Sequence, residues 1–157
     1  MRVKKVVINN GYTKPEILIF GLGNRFYRLA EDLTISIHTN EGVLVFIFRK
    51  GFVTNFRSGG MLVDGIIDQL GNVWMQAAYL CHDAAYTPCS ALGMEHPISR
   101  DLADEVLRGM LLFAGMSKFK ASLVYNSVRV FGSGAYEEDD ELTEANSKLF
   151  SFRWNAA

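Results

Sequence analysis

Along this chain the spacing of hydrophobic positions changes, and the change divides it into regions. In the first third the apolar residues come in short runs at 3–8, 17–20, 26–29, 33–38 and 43–48, rich in β-branched and aromatic side chains and separated by turn residues. Leu33, Ile35 and Ile37 alternate with Thr34, Ser36 and His38, the period of a strand with one buried face. His38 falls on the polar side of that strand, which sets it aside as a catalytic candidate. Asn10-Gly11 and Glu41-Gly42 are turn signals.

From residue 58 the period lengthens. Ser58-Gly59-Gly60 is a small glycine loop, and Met61, Leu62, Gly65, Ile66 and Leu70 have helical spacing before Gly71-Asn72 breaks it. A second helix is expected over 73–86, with Trp74, Ala77, Ala78, Cys81 and Ala85 as an apolar stripe. Residues 87–97 read as a loop bounded by Pro88 and Pro97. Ser99 then caps a helix reaching about residue 113, with Leu102, Val106, Met110 and Phe113 on one face and Gly115 as its C-cap. Ser117 caps a last helix over 118–131 that carries Phe119, Leu123, Tyr125, Val128 and Phe131, and Gly132-Ser133-Gly134 stops it. The acidic run 137–141 is expected to be solvated. Phe150, Phe152 and Trp154 either dock on the domain or meet a partner. The expectation is an α+β fold in one domain over 1–157. Its parts are a strand-rich 1–57, a helical 58–136 of three to four helices, and an acidic and aromatic tail 137–157.

Composition narrows the picture. A chain of 157 residues, 49% hydrophobic and 21% charged, can bury a core without metal or disulfide help, and extended disorder is not expected. Sixteen basic and 17 acidic residues nearly cancel, at a pI near 6.3, so no nucleic-acid partner is expected. Cys81 and Cys89 could close one short loop, but two reduced thiols are the expected state, and no Cys/His spacing suits zinc. The apolar run 6–8 is too short for a signal-peptide core, and 43–48 is far below the roughly 20 residues of a spanning helix. A soluble protein with no export signal and no transmembrane helix, made in a cytoplasm, is therefore expected.

The most informative stretch runs from Ala77 to Tyr86 and holds His82-Asp83 in an alanine-rich helix. Adjacent side chains on a helix diverge by about 100°. His82 and Asp83 therefore do not pair with each other, yet both can look into one cleft, and Tyr86 shares the face of His82. An antiparallel helix pair would bring Asp104 against His82. The carboxylate would fix the imidazole tautomer and leave the other nitrogen as a general base. Asp83 would then be available to a hard cation, with backbone carbonyls of Ser58, Gly59 and Gly60 converging on it. Water activated by His82, with the ester carbonyl polarised by the cation, would give ester hydrolysis. Plainer roles stand beside these. Tyr86 can be core, Asp104 can serve its helix dipole, the glycine loop can be a connector, and the His-Asp pair can be structural. Cys81 points away from His82 and is not expected to act as a nucleophile.

Gly51-Phe52-Val53-Thr54-Asn55-Phe56-Arg57-Ser58, the segment around His82, Ser99-Arg100-Asp101-Leu102-Ala103-Asp104 and Tyr125-Asn126-Ser127-Val128-Arg129-Val130-Phe131-Gly132 occur in that order. Together, over about residues 26–136, they resemble a domain family of tailed bacteriophages and prophages, the domain of unknown function 1353. That family commonly has Thr-Asp where this chain has Thr54-Asn55, and Ser-x-Pro where it has Ser58-Gly59-Gly60. More distantly, Ala-Ala-x-x-x-His-Asp-x-x-Tyr followed by Ala-Asp is similar to the phospholipase A2 domain of parvovirus capsids and to secreted phospholipases A2. That resemblance implies His82 as base, Asp104 as its orienter, Tyr86 as a supporting hydrogen-bonder and Asp83 as a ligand of Ca2+. Its Gly-x-Gly calcium loop is matched only loosely by Ser58-Gly59-Gly60.

The expected function is a calcium-dependent, phospholipase A2-like hydrolase of a tailed phage, with host phospholipid membrane as its substrate. The alternative is a non-enzymatic virion or tail-assembly component whose partners are other phage structural proteins. A third is an intracellular phage factor acting on a host protein. Either the virion or the infected-cell cytoplasm is the expected location.

Overall fold

The computed structural model describes residues 1–10, 15–23, 26–54, 72–87, 98–131, 146 and 148–157. The glycine loop Ser58-Gly59-Gly60, the expected helix over 61–70, Cys89, His96, the Gly132-Ser133-Gly134 stop and the acidic run 137–141 lie outside the described residues.

Among the described residues strands come first and three helices follow, an α+β order. The strands are β1 (Val3–Asn9), β2 (Ile19–Gly23), β3 (Phe26–Leu29), β4 (Leu33–Thr39), β5 (Gly42–Phe48), β6 (Val53–Thr54) and, after the helices, β7 (Phe150–Ala156). The helices are α1 (Val73–Ala85), α2 (Arg100–Phe113) and α3 (Lys118–Phe131). Two antiparallel sheets form, one ordered β1-β4-β5-β7 and one ordered β2-β3-β6.

The alternation read from β4 holds: Leu33, Ile35 and Ile37 are buried, as are Leu44, Phe46 and Phe48 on β5. Each such side chain, fully removed from water, contributes on the order of 1.5–3 kcal/mol. On β1 a register shift between Val3 and Lys5 turns both Val3 and Val6 inward. The β4–β5 turn closes on Thr39. Its hydroxyl accepts from the amides of Glu41 and Gly42 at 3.0 and 3.1 Å and donates to the Gly42 carbonyl at 2.9 Å. Gly42 is needed because a Cβ there would overlap the Asn155 carbonyl on β7.

The late aromatic segment docks on the domain as a strand. Phe152 lies opposite Phe46, Phe150 opposite Phe48 and Trp154 opposite Leu44. Phe46 and Phe152 stack with centroids 5.2 Å apart, and Phe52 meets Phe150 edge-on at 5.5 Å. Just before the strand, the Asn146 side-chain amide pairs both ways with the Val53 backbone, at 3.0 and 2.9 Å.

The helices are placed by their caps. Asn72 accepts from the Met75 amide at 3.0 Å, and its own amide donates to the Ala114 carbonyl at 2.9 Å, so the start of α1 is tied to the end of α2. Ser99 and Ser117 cap α2 and α3 as expected, at 3.1 and 3.2 Å. Gly115 follows the Ala114 C-cap with φ +97°, the left-handed conformation glycine adopts readily. Gly109 lets α2 approach β1, because a Cβ there would sit 2.7 Å from Val3 Cγ2.

Two expected helix faces shift. On α2 the buried side centres on Ala103, Val106, Leu107 and Met110, while Phe113 is 39% exposed and meets Trp74 edge-on. On α3 it is Ala121, Val124 and Val128, and Phe119 points to solvent. Among the described residues no helix is long and apolar enough to cross a membrane.

Candidate functional site

The C-terminal half of α1 is buried all round, from Ala77 to Cys81 and again at Ala84 and Ala85. Alanines let α2 and the large sheet close in, and this puts His82 in the interior at 5% exposure. Asp104, on the facing side of α2, is fully buried at 0%. An unpaired carboxylate could not be held there. Its two oxygens are served from different elements.

Oδ1 faces α1. His82 Nε2 is 2.8 Å away, and the Tyr86 hydroxyl donates to the same oxygen at 2.5 Å. Oδ2 faces α3 and accepts from Arg129 Nη1 at 2.7 Å, with Arg100 Nε 3.8 Å away. Arg129 also holds Asp101 through Nη2 at 2.7 Å. Arg100 in turn donates through Nη2 to the Val128 and Arg129 carbonyls at 2.7 and 2.8 Å. The two arginines thus clamp α2 and α3 in both directions.

An ionised carboxylate only accepts, so the nitrogen facing it must carry the proton. His82 is therefore the Nε2–H tautomer, with its base lone pair on Nδ1. Burial pushes the His82 pKa below its usual 6.5. The bond to Asp104 and the charge of Asp104 oppose that shift, and the Arg100 charge reinforces it. For Asp104 burial acts upward, but the bonds from His82, Tyr86 and Arg129 outweigh it, so the acid stays ionised below the usual carboxylate range. Tyr86 is pushed up by burial and by its bond to Asp104, and it remains a donor. Burial also raises Cys81 strongly, leaving a free but unreactive thiol.

Of the expected site residues, His82, Tyr86 and Asp104 come together. Tyr86 does so as the C-cap residue of α1, with its ring centroid 4.2 Å from that of His82. Asp104 is not spent on its helix dipole, because Ser99 caps α2 and the carboxylate turns to its three donors. Asp83 goes elsewhere: its Oδ2 accepts from the buried Thr54 hydroxyl of β6 at 2.7 Å. Ser58, Gly59 and Gly60 lie outside the described residues. Beside His82, bounded by Phe46, Cys81, Val106 and Met110, is a cavity of about 10 Å³, close to the lower limit for one water. The cavity that His82 lines is bordered by neither Asp83 nor Asp104.

Thr54, Arg100 and Arg129 are site residues that sequence reasoning did not single out for chemistry. All three fall within the ordered motifs, and Arg129, set between Val128 and Val130, carried the clearer signal. Among the described residues no group of three His, Cys, Asp or Glu side chains is placed to hold a metal ion.

The sequence profile of a family described as "Protein of unknown function (DUF1353)" matches residues 27–128, which spans β3 to the last turn of α3 and contains His82, Asp83, Tyr86 and Asp104. No curated protein and no solved structure matches the chain.

Proposed function

The chain belongs to the DUF1353 family, and we propose that it is a phospholipase A2-like, calcium-dependent ester hydrolase of a tailed bacteriophage, acting on host membrane lipid as the phage enters or leaves the cell. The observation that carries this reading is the 2.8 Å approach of His82 Nε2 to Asp104 Oδ1, with Tyr86 on the same oxygen. It is the arrangement an imidazole needs to work as a base: one nitrogen committed to a carboxylate, the tautomer fixed and the ring kept neutral.

In the proposed reaction His82 Nδ1 takes a proton from water as the water oxygen bonds to the ester carbonyl carbon. The ester C–O bond then breaks, and the departing alcohol oxygen takes the proton back. Asp104 stabilises the transient imidazolium and does not itself gain a proton, and Tyr86 keeps Oδ1 turned toward α1. Asp83 would contribute to holding calcium. A bound calcium would supply positive charge to the carbonyl oxygen. Calcium takes about six to eight oxygens, so most ligands would have to come from backbone carbonyls, for which the glycine loop is the candidate.

A second reading, a non-enzymatic virion or tail-assembly part, is favoured by a separate observation. Phe20, Leu22, Phe119 and Val130 are between 50 and 74% exposed, a supply of apolar contacts for neighbouring subunits. The test is purified protein on phosphatidylglycerol-containing vesicles. The hydrolase reading expects fatty acid to be released in calcium and release to stop on adding EGTA. Absence of release in calcium leaves the assembly reading.

A further inference from the structure

Asp104 can orient His82 only if its own carboxylate is prevented from swinging, and the residue that prevents this comes from α3. The Arg129 guanidinium spans one turn of α2, with Nη1 on Asp104 Oδ2 and Nη2 on Asp101 Oδ1, both at 2.7 Å. A planar fork with two donors suits two acceptors three residues apart on a helix, and a lysine ammonium would meet such a pair only as a point charge. The backbone under Arg129 is itself held, because Arg100 grips the Val128 and Arg129 carbonyls. With Oδ2 fixed toward α3, Oδ1 is left facing α1, where His82 and Tyr86 meet it.

We infer that Arg129 is the positioning residue of the His82 site: by pinning Asp104 Oδ2 it keeps Oδ1 on His82 Nε2 and so holds the imidazole in the Nε2–H tautomer. The inference rests on His82 as the base where turnover is concerned, while the tautomer claim stands on the geometry alone. Arg129 bonds to Asp104 and Asp101 and acts on His82 through Asp104.

The test uses the full chain carrying Arg129→Gln, Arg129→Lys or Asp101→Asn, read by two measurements. In ¹⁵N-edited NMR of the His82 ring, wild type shows one tautomer, Arg129→Gln a mixture, and Arg129→Lys a signal restored toward wild type. Fatty-acid release from the vesicles falls in kcat by roughly 10- to 100-fold for Arg129→Gln, as for other lost supporting hydrogen bonds. KM stays nearly unchanged, and Arg129→Lys recovers part of the loss. Asp101→Asn, which frees only the outer arm of the fork, has a smaller effect in the same direction. A single unchanged tautomer in Arg129→Gln overturns the inference, as does a loss confined to KM; if that variant does not fold, a wild-type tautomer together with wild-type kcat in both Arg129→Lys and Asp101→Asn overturns it. A wild-type protein without hydrolase activity refutes the hydrolase reading, and the ring spectra then still decide the role of Arg129.

Discussion

Asp104 gathers its partners from the two other helices, α1 and α3, through hydrogen bonds, whereas Phe46, which lines the small cavity beside His82, gathers its partners from strands through ring faces. The aromatic cluster spreads its stabilisation over many weak contacts, each proportional to area, and it absorbs a change of shape by local repacking. The carboxylate cluster concentrates its stabilisation on one charged group, so losing any member leaves another buried and unsatisfied. A purely structural core has little reason to carry the second kind of cluster beside the first. The contrast directs attention to His82.

The comparison is sharpest when both centres receive shape-conserving substitutions. Asp104→Asn keeps the outline of the side chain but removes the charge that balances Arg129, and it is expected to cost about 3–5 kcal/mol in urea unfolding. Tyr86→Phe removes one donor to that charge and is expected to cost about 1.5–3 kcal/mol. Phe46→Leu is expected to cost less than about 1.5 kcal/mol in the same assay. If Phe46→Leu proves the most damaging of the three, the contrast between the centres is wrong.

Acid should separate them further. The folded-state pKa of His82 lies below 6.5, so the unfolded chain takes up its proton first. The stability this gives is fully present above about pH 6.5 and is lost as pH falls toward the folded value. The depressed Asp104 adds a loss in the same direction at lower pH, beginning near 3.8. Each group contributes at most about 1.4 kcal/mol per pH unit. Unfolding midpoints measured from pH 7.5 down to 5 should decline in wild type and decline less in His82→Asn; equal slopes contradict the assignment.

Much of the frame was legible because local chemistry decided it. Ser99, Ser117 and Asn72 each satisfy backbone amides within their own first turn, so the helix starts could be read from short-range rules. The His82–Asp104 approach could be anticipated from helix geometry plus one chain reversal. The alternation of Phe150, Phe152 and Trp154 with Ser151, Arg153 and Asn155 was also visible, but its partner β5 lies more than a hundred residues earlier, and no local signal names so distant a pairing. Arg129 was hidden for a similar reason. Its role depends on how α3 crosses α2, which the burial of Ala121, Val124 and Val128 settles and the more conspicuous Phe119 obscures. Thr54 reaches Asp83 only because β6 joins the smaller sheet next to α1.

The most direct measurement of the central claim is turnover and folding in one protein, His82→Asn. The account predicts a cooperative unfolding transition and a native near-ultraviolet circular dichroism spectrum, together with loss of calcium-dependent fatty-acid release from vesicles. A folded His82→Asn protein that releases fatty acid at the wild-type rate would contradict it.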